Sequence, residues 1–195
     1  MELKEAISRR RSIRSYKSKP LERSTIIQLL ESANQAPSGA NASPWLYVVV
    51  DDDATKQALR RSAQEADGRW NAAQSPEFQA WLASQGITQD KPFLEEAPVL
   101  IVAFADVREP YAIESIWLSL AFLILAITAA GLGTLTYTPG EPDFLGPLLG
   151  VPGHYRPQAI LPVGYPREEA DPADRSKPSV DRTARHNHYR IIYRP

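Results

Sequence analysis

The sequence predicts an α+β fold in which helices cover both faces of one sheet. Three observations lead there. Apolar runs of strand length stand at residues 45–50, 98–104, 134–138 and 159–164. Segments at 24–35 and 54–66 carry the apolar spacing of helices, and 112–130 is apolar all the way round. Helices and strands follow one another in mixed order, as in a sheet flanked by helices.

Taken in chain order, Leu3, Ala6, Ile7 and Arg10 have helical spacing and open the chain with a short amphipathic helix. The basic run 9–14 follows, and Pro20 sets off a second helix over 24–35. There Ile26, Ile27, Leu29, Leu30 and Ala33 point to a core, with Ser24 as N-cap. Residues 36–44 form a loop by composition. A strand at 45–50 ends in the acidic turn 51–53, and a helix over 54–66 comes next. Residues 67–90, rich in Ala, Gln and Ser, read as mobile helix and loop. The continuous apolar run 98–104 predicts a strand buried on both faces. Hydrophobicity all round the 112–130 helix demands cover on every side, which a subunit interface would supply. Gly131-Leu132-Gly133 ends it. Strands at 134–138 and 159–164 and a short helix at 144–149 complete the core. After Gly164 the periodicity is lost until the strand-like Arg190-Ile191-Ile192-Tyr193. Such a tail, about 167–195, makes physical sense wrapped over a partner subunit, its last strand added to the partner's sheet.

The 195 residues fit one domain, 1–195. A net charge of −1 gives no broad attraction to nucleic acid or a membrane surface, so any anion site must be local. The absence of cysteine excludes disulfides, thiolate metal sites and cysteine nucleophiles. Residues 1–5 are charged, against a secretory leader, and the apolar run of about 116–130 falls short of the ~20 residues of a spanning helix. Cytoplasm and no membrane are the expectations. His186 and His188 read as a surface tail, so no metal site is expected.

Four clusters carry chemistry. Arg10, Arg11, Ser12 and Arg14 offer forked donors that suit a phosphorylated ligand, although a solvated basic segment has the same composition. In the loop 36–44, Gly39 permits close backbone approach, and Ser38 and Asn41 offer hydrogen bonds. The same residues also suit an ordinary helix-to-strand loop. Residues 131–140 carry Gly-x-Gly after a helix, without the third glycine of a dinucleotide fingerprint. Arg175 and Lys177 add two cations, in what is equally a charged surface turn.

Together these motifs resemble the FMN-binding nitroreductase superfamily: Arg-Arg-Ser-x-Arg at 10–14, Ala-Pro-Ser-Gly-Ala at 36–40 before Pro44-Trp45, Gly-Leu-Gly-Thr at 131–134, Leu-Pro-Val-Gly-Tyr-Pro at 161–166 and Arg-x-Lys-Pro at 175–178. The resemblance spans about residues 5–180. The runs at 36–40, 91–98 and 136–139 look most like the iodotyrosine deiodinase branch. The resemblance implies a nitroreductase-like fold, with a mixed, mainly antiparallel sheet, in an intertwined homodimer. It implies FMN as cofactor, NAD(P)H as electron donor and a small aromatic substrate.

Residue by residue, the resemblance implies that Arg10, Arg11 and Ser12 contact the FMN phosphate and ribityl chain. Arg14 reaches the pyrimidine edge of the ring, and Arg175 and Lys177 close over the phosphate. Pro37, Ser38 and Gly39 come from the other subunit, and Asn41 is a further cofactor contact. Thr138, with Thr136 close by, matches the hydroxyl near flavin N5, whose hydrogen bond favours one-electron steps. The alternative for Thr138 is a strand-end hydroxyl satisfying local backbone. Ala40 matches the backbone N–H that binds a substrate phenolate, and Lys91 the lysine that holds the amino acid's charged groups. The lid, about 63–91, departs from the branch. In place of Glu-x-x-x-Tyr it has Glu65 or Asp67 for the acid and Trp70 or Asn71 at the tyrosine position, with Gly68 between. The leading expectation is reduction of an aromatic, as dehalogenation of a halotyrosine or halophenol. The alternatives are a general NAD(P)H-dependent nitro- or quinone reductase, favoured by the altered lid, and a flavin-binding protein without turnover.

Overall fold

The computed structural model describes residues 1–167 and Thr183. The expected tail beyond Arg167, with Arg175, Lys177, the two histidines and the 190–193 strand, lies outside the described residues.

The elements run α1 (Leu3–Arg9), α2 (Arg23–Asn34), β1 (Trp45–Val50), α3 (Asp53–Ala72), α4 (Pro76–Ser84), α5 (Phe93–Glu96), β2 (Val99–Asp106), α6 (Ala112–Ala129), β3 (Gly133–Thr134), α7 (Leu145–Leu149) and β4 (Tyr155–Gly164). The strands form one sheet in the order β1-β2-β4-β3, and every neighbouring pair is antiparallel. Among the described residues, the parallel component is a single bridge, Ser12 to Thr134.

Strand β2 shows why both faces need cover. All eight of its residues are buried. Side chains alternate across a strand with period two. Val99, Ile101, Ala103 and Ala105 therefore join one core with α2 and α6. Leu100, Val102 and Phe104 join a second with α3, α5 and α7, through Leu59, Ala63, Leu94 and Leu145.

Helix α6 is covered on one side only. Ile116, Leu120, Leu123 and Ile127 are fully buried, while Trp117, Leu118 and Phe122 are 40%, 46% and 42% exposed. Two serines on the inner face are satisfied: Ser119 Oγ donates to the Ala33 carbonyl at 2.7 Å and meets the Tyr47 hydroxyl at 2.7 Å, and Ser115 Oγ accepts from the Gly39 amide at 3.1 Å. Burial pushes the Tyr47 phenol up to about 12. Along α6 packs α1, of which only Ala6 is buried; Leu3 and Ile7 face outward.

Several boundaries differ from the sequence reading for local reasons. Helix α2 begins after Glu22 with no side-chain cap, so Ser24 is not its N-cap. Helix α3 runs past Gly68 to Ala72, capped by Asp52, which accepts from the Thr55 amide at 2.8 Å. The expected mobile stretch contains the ordered helix α4, capped by Ser75 with proline in its first turn. The 134–138 strand shortens to Gly133–Thr134, and Tyr137 rejoins the sheet through a paired bridge to Ile160. Strand β4 starts at Tyr155, earlier than expected. Pro157 hid its first half, since proline removes a ladder donor.

At Gly164 the sheet meets the chain before β2. A Cβ there would lie 2.5 Å from Pro98 Cδ and 3.1 Å from Tyr16 Cδ1, and a proline ring cannot swing aside. Gly164→Ala is expected to lower unfolding free energy by about 1–3 kcal/mol in urea denaturation. An unchanged midpoint would contradict this packing.

Candidate active-site cleft

Between Arg9 and Tyr16 the chain has no helix, yet it is held firmly to the sheet. The Ile13 amide donates to the Thr134 carbonyl at 3.0 Å, beside the Ser12–Thr134 bridge. Gly133 has no side chain where Ile13 sits: a Cβ would fall 2.7 Å from Ile13 Cγ1. Tyr16 is wholly buried, and its hydroxyl lies 2.7 Å from the Ile13 carbonyl and 3.2 Å from that of Pro162. Burial pushes its phenol well above the ordinary range. These contacts place Arg14 beside residues 134–140.

That segment alternates like a strand. Leu135 and Tyr137 are buried; Thr136 and Thr138 are exposed. The outward threonines and Arg14 line one cleft of about 770 Å³, which Asp67, Trp70, Asn71 and residues 85–93 close from the other side. This volume lies within the range of small-molecule sites. Arg10, Arg11 and Arg14 have no carboxylate partner among the described residues. Arg11 spends its donors on the Ser8 and Arg10 carbonyls, and Arg14 approaches only the Ser12 carbonyl. Arg14 lines the cleft and Arg10 and Arg11 precede it on the same segment; guanidiniums not neutralised by carboxylates of the described residues suit an anionic ligand.

The opposite wall is organised around Asp67. Its Oδ1 accepts from the Gly140 amide at 2.9 Å, and its Oδ2 from the Tyr137 hydroxyl at 2.8 Å. Lys91 Nζ lies 3.0 Å from Oδ2 and also donates to the Thr88 carbonyl. The side chains of Lys91 and Asp67 are only 7% and 16% exposed. Burial first, and the Asp67 charge second, push the Tyr137 phenol well above its usual value. Trp70 packs over Gly140, where any side chain would run into the indole. Its ring meets Phe78 edge-on at 5.9 Å, and Phe78 stacks on Trp81 at 5.4 Å. Gly68, which costs helix propensity, leaves room for Gln89, whose amide donates to the Gln64 carbonyl at 3.0 Å.

Of the expected site residues, Arg14, Thr136, Thr138, Asp67, Trp70 and Lys91 meet in this cleft. Glu65 is exposed on α3 and does not line it. Arg10, Arg11 and Ser12 lie beside it, outside the lining. Pro37, Ser38, Gly39, Ala40 and Asn41 are elsewhere on the chain. The Gly39 amide donates to Ser115 Oγ at 3.1 Å, and a Cβ on Gly39 would meet the Tyr111 ring at 2.8 Å. Ala40 and Asn41 hold positive φ of 50° and 57°, rare for residues with side chains. Sequence reasoning missed Tyr137 and Gly140, the two donors that fix Asp67. The signal was present in the period-two alternation of 134–138, which turns Tyr137 inward.

The description "Nitroreductase family" belongs to the family model that matches residues 7–165. Iodotyrosine deiodinase of Thermotoga neapolitana is 38% identical over 160 residues, covering 81% of this chain and 85% of that protein. A protein of Thermus thermophilus named NADH dehydrogenase is 30% identical, over 90% of this chain and 92% of its own. The fold superposes with a TM-score of 0.81, at 32% identity and over the whole of both chains, on oxidised iodotyrosine deiodinase bound to FMN and 3-iodo-L-tyrosine.

Removing the Tyr137 hydroxyl leaves a buried carboxylate one donor short. Tyr137→Phe is expected to cost about 1–3 kcal/mol in urea unfolding. A phenol whose folded value is raised contributes stability below its unfolded value of about 10, and that contribution is lost as pH rises through the folded value. Absorbance titration at 295 nm of native wild type and variant should therefore coincide up to about pH 11, roughly a unit above the ordinary value. An extra wild-type step near pH 10 would contradict the raised phenol.

Proposed function

The chain belongs to the nitroreductase family, and we propose that it is an FMN-dependent oxidoreductase that dehalogenates a halogenated phenol or tyrosine. The single observation that carries this reading is one cleft lined by Arg14, Thr136 and Thr138. The residues fit the cofactor: guanidiniums without carboxylate partners suit its phosphate and the electron-rich edge of its ring, and two outward hydroxyls face the same space.

FMN, when bound, supplies the two electrons, drawn in turn from a nicotinamide donor, NAD(P)H. The chain's own residues do the rest. Arg10, Arg11 and Ser12 would hold the phosphate; the further cations expected there, Arg175 and Lys177, lie outside the described residues. Arg14 places fixed positive charge at the pyrimidine edge, where negative charge develops on reduction, and so raises the tendency to accept electrons. The Thr138 hydroxyl, with Thr136 beside it, holds a hydrogen bond at N5. The Ala40 amide binds the substrate's phenolate oxygen. Residues 63–91 serve as the lid, with Trp70 lying over the aromatic ring. The reaction consumes two electrons and one proton, replaces carbon–halogen by carbon–hydrogen and releases halide.

The working unit in this reading is a homodimer. Trp117, Leu118 and Phe122 form an apolar stripe on α6 of the kind that marks an interface. The loop Pro37–Asn41 does not line the cleft of its own chain, which supports a reading in which it reaches the flavin of the partner subunit. The similarity to a relative named NADH dehydrogenase favours a second reading, general nitro- or quinone reduction on the same scaffold.

The test is anaerobic turnover of the dithionite-reduced holoprotein with 3-iodotyrosine, 2-iodophenol and nitrofurazone. Stoichiometric iodide with tyrosine or phenol as product is expected. Oxidation by nitrofurazone alone would favour the second reading. Oxidation by none faster than by air would leave a flavin-binding protein without turnover.

A further inference from the structure

The charges lining the cleft are Arg14, Lys91, Asp67 and Asp90. An amino acid substrate brings an ammonium and a carboxylate, and each needs an unengaged partner in the wall. Asp67 has both oxygens occupied, by Tyr137, Gly140 and Lys91. Asp90 is held by Arg60 at 2.6 Å and by Gln64 at 2.9 Å. Lys91 is spent on Asp67 and the Thr88 carbonyl. Among the described residues that line the cleft, the charge left unengaged is the cation Arg14.

We propose that this cleft selects aromatic acceptors without a zwitterionic side chain, a halophenol in preference to a halogenated amino acid, because Asp67 and Lys91 neutralise each other within the wall. This rests on the dehalogenase reading and narrows its substrate class.

To clamp a zwitterion, Lys91 and Asp67 must part, and Asp67 must turn from donors fixed by the fold. Separating a nearly buried pair strands each charge in a poorly solvated place. The replacement pairs also demand the ordering of a free ligand, whereas the existing pair is already ordered by the chain. An uncharged ring asks for none of this. Trp70, Leu82, Ile87 and Phe93 offer it apolar and aromatic surface in the same cleft.

Binding to the oxidised holoprotein, read as quenching of flavin fluorescence, tests this without requiring any turnover. The expected result is a Kd for 2-iodophenol equal to or below that for 3-iodotyrosine. A Kd for 3-iodotyrosine tenfold or more below that for 2-iodophenol overturns the proposal, as does the absence of saturable binding by either. Intermediate ratios are settled by Asp67→Asn, which keeps the shape and releases Lys91. It should tighten binding of 3-(4-hydroxy-3-iodophenyl)propanoate at least fivefold relative to 2-iodophenol; an unmoved ratio overturns the proposal. Iodide release is scored separately. Its absence with the expected binding order sinks the dehalogenation reading alone, while its presence with the opposite order sinks the substrate class alone.

Discussion

The attachment of a helix-free segment, residues 10–16, to the end of the sheet determines what this fold can bind. One backbone hydrogen bond from Ile13 to Thr134, a glycine that yields its side-chain space to Ile13, and a buried tyrosine hydroxyl together hold that segment down. Without them Arg14 would be one more exposed surface cation. With them it faces the same cleft as Thr136 and Thr138. The buried hydroxyl of Tyr16 has acceptors within reach, so anchoring the segment leaves no orphaned polar group there.

The opposite wall follows a different physical rule. Lys91 and Asp67 are nearly buried, and such charges persist only when paired and hydrogen-bonded. Tyr137 and Gly140 supply those bonds from the same segment that carries the threonines. Residues 134–140 therefore serve both sides at once. Their outward residues face the cleft, and their inward tyrosine fixes the carboxylate of the lid. Any shift in this segment would move both walls, which couples cofactor contacts to substrate contacts through a few residues.

Much of the fold was legible because periodicity survives in single elements. The 98–104 run read as a strand buried on both faces, and β2 is that strand with helices on each side. The all-round apolar helix read as needing outside cover, and α6 retains an uncovered apolar stripe. What failed to read were features that depend on partners distant in sequence. Helix α3 continues through Gly68 despite its low propensity, and the side chain of Gln89, twenty-one positions on, packs against it there. Strand β4 was truncated by its own prolines. In the site, the motifs brought Arg14, Thr136, Thr138 and Lys91 to attention. The choice of Asp67 over Glu65 was invisible, because helical positions two apart differ in facing by about 200° and the sequence does not say which one turns inward. The alternation of 134–138 shows Tyr137 turned inward but not toward which partner, since Asp67 lies seventy residues away in the chain.

Amide hydrogen exchange with and without FMN tests most directly whether the arginine segment and the threonine segment share one ligand. The expected result is slowed exchange on adding FMN in residues 10–16 and 133–140 together, accompanied by 37–43 in the dimer. Slowed exchange in only one of the first two segments, or in neither, would contradict the shared cleft.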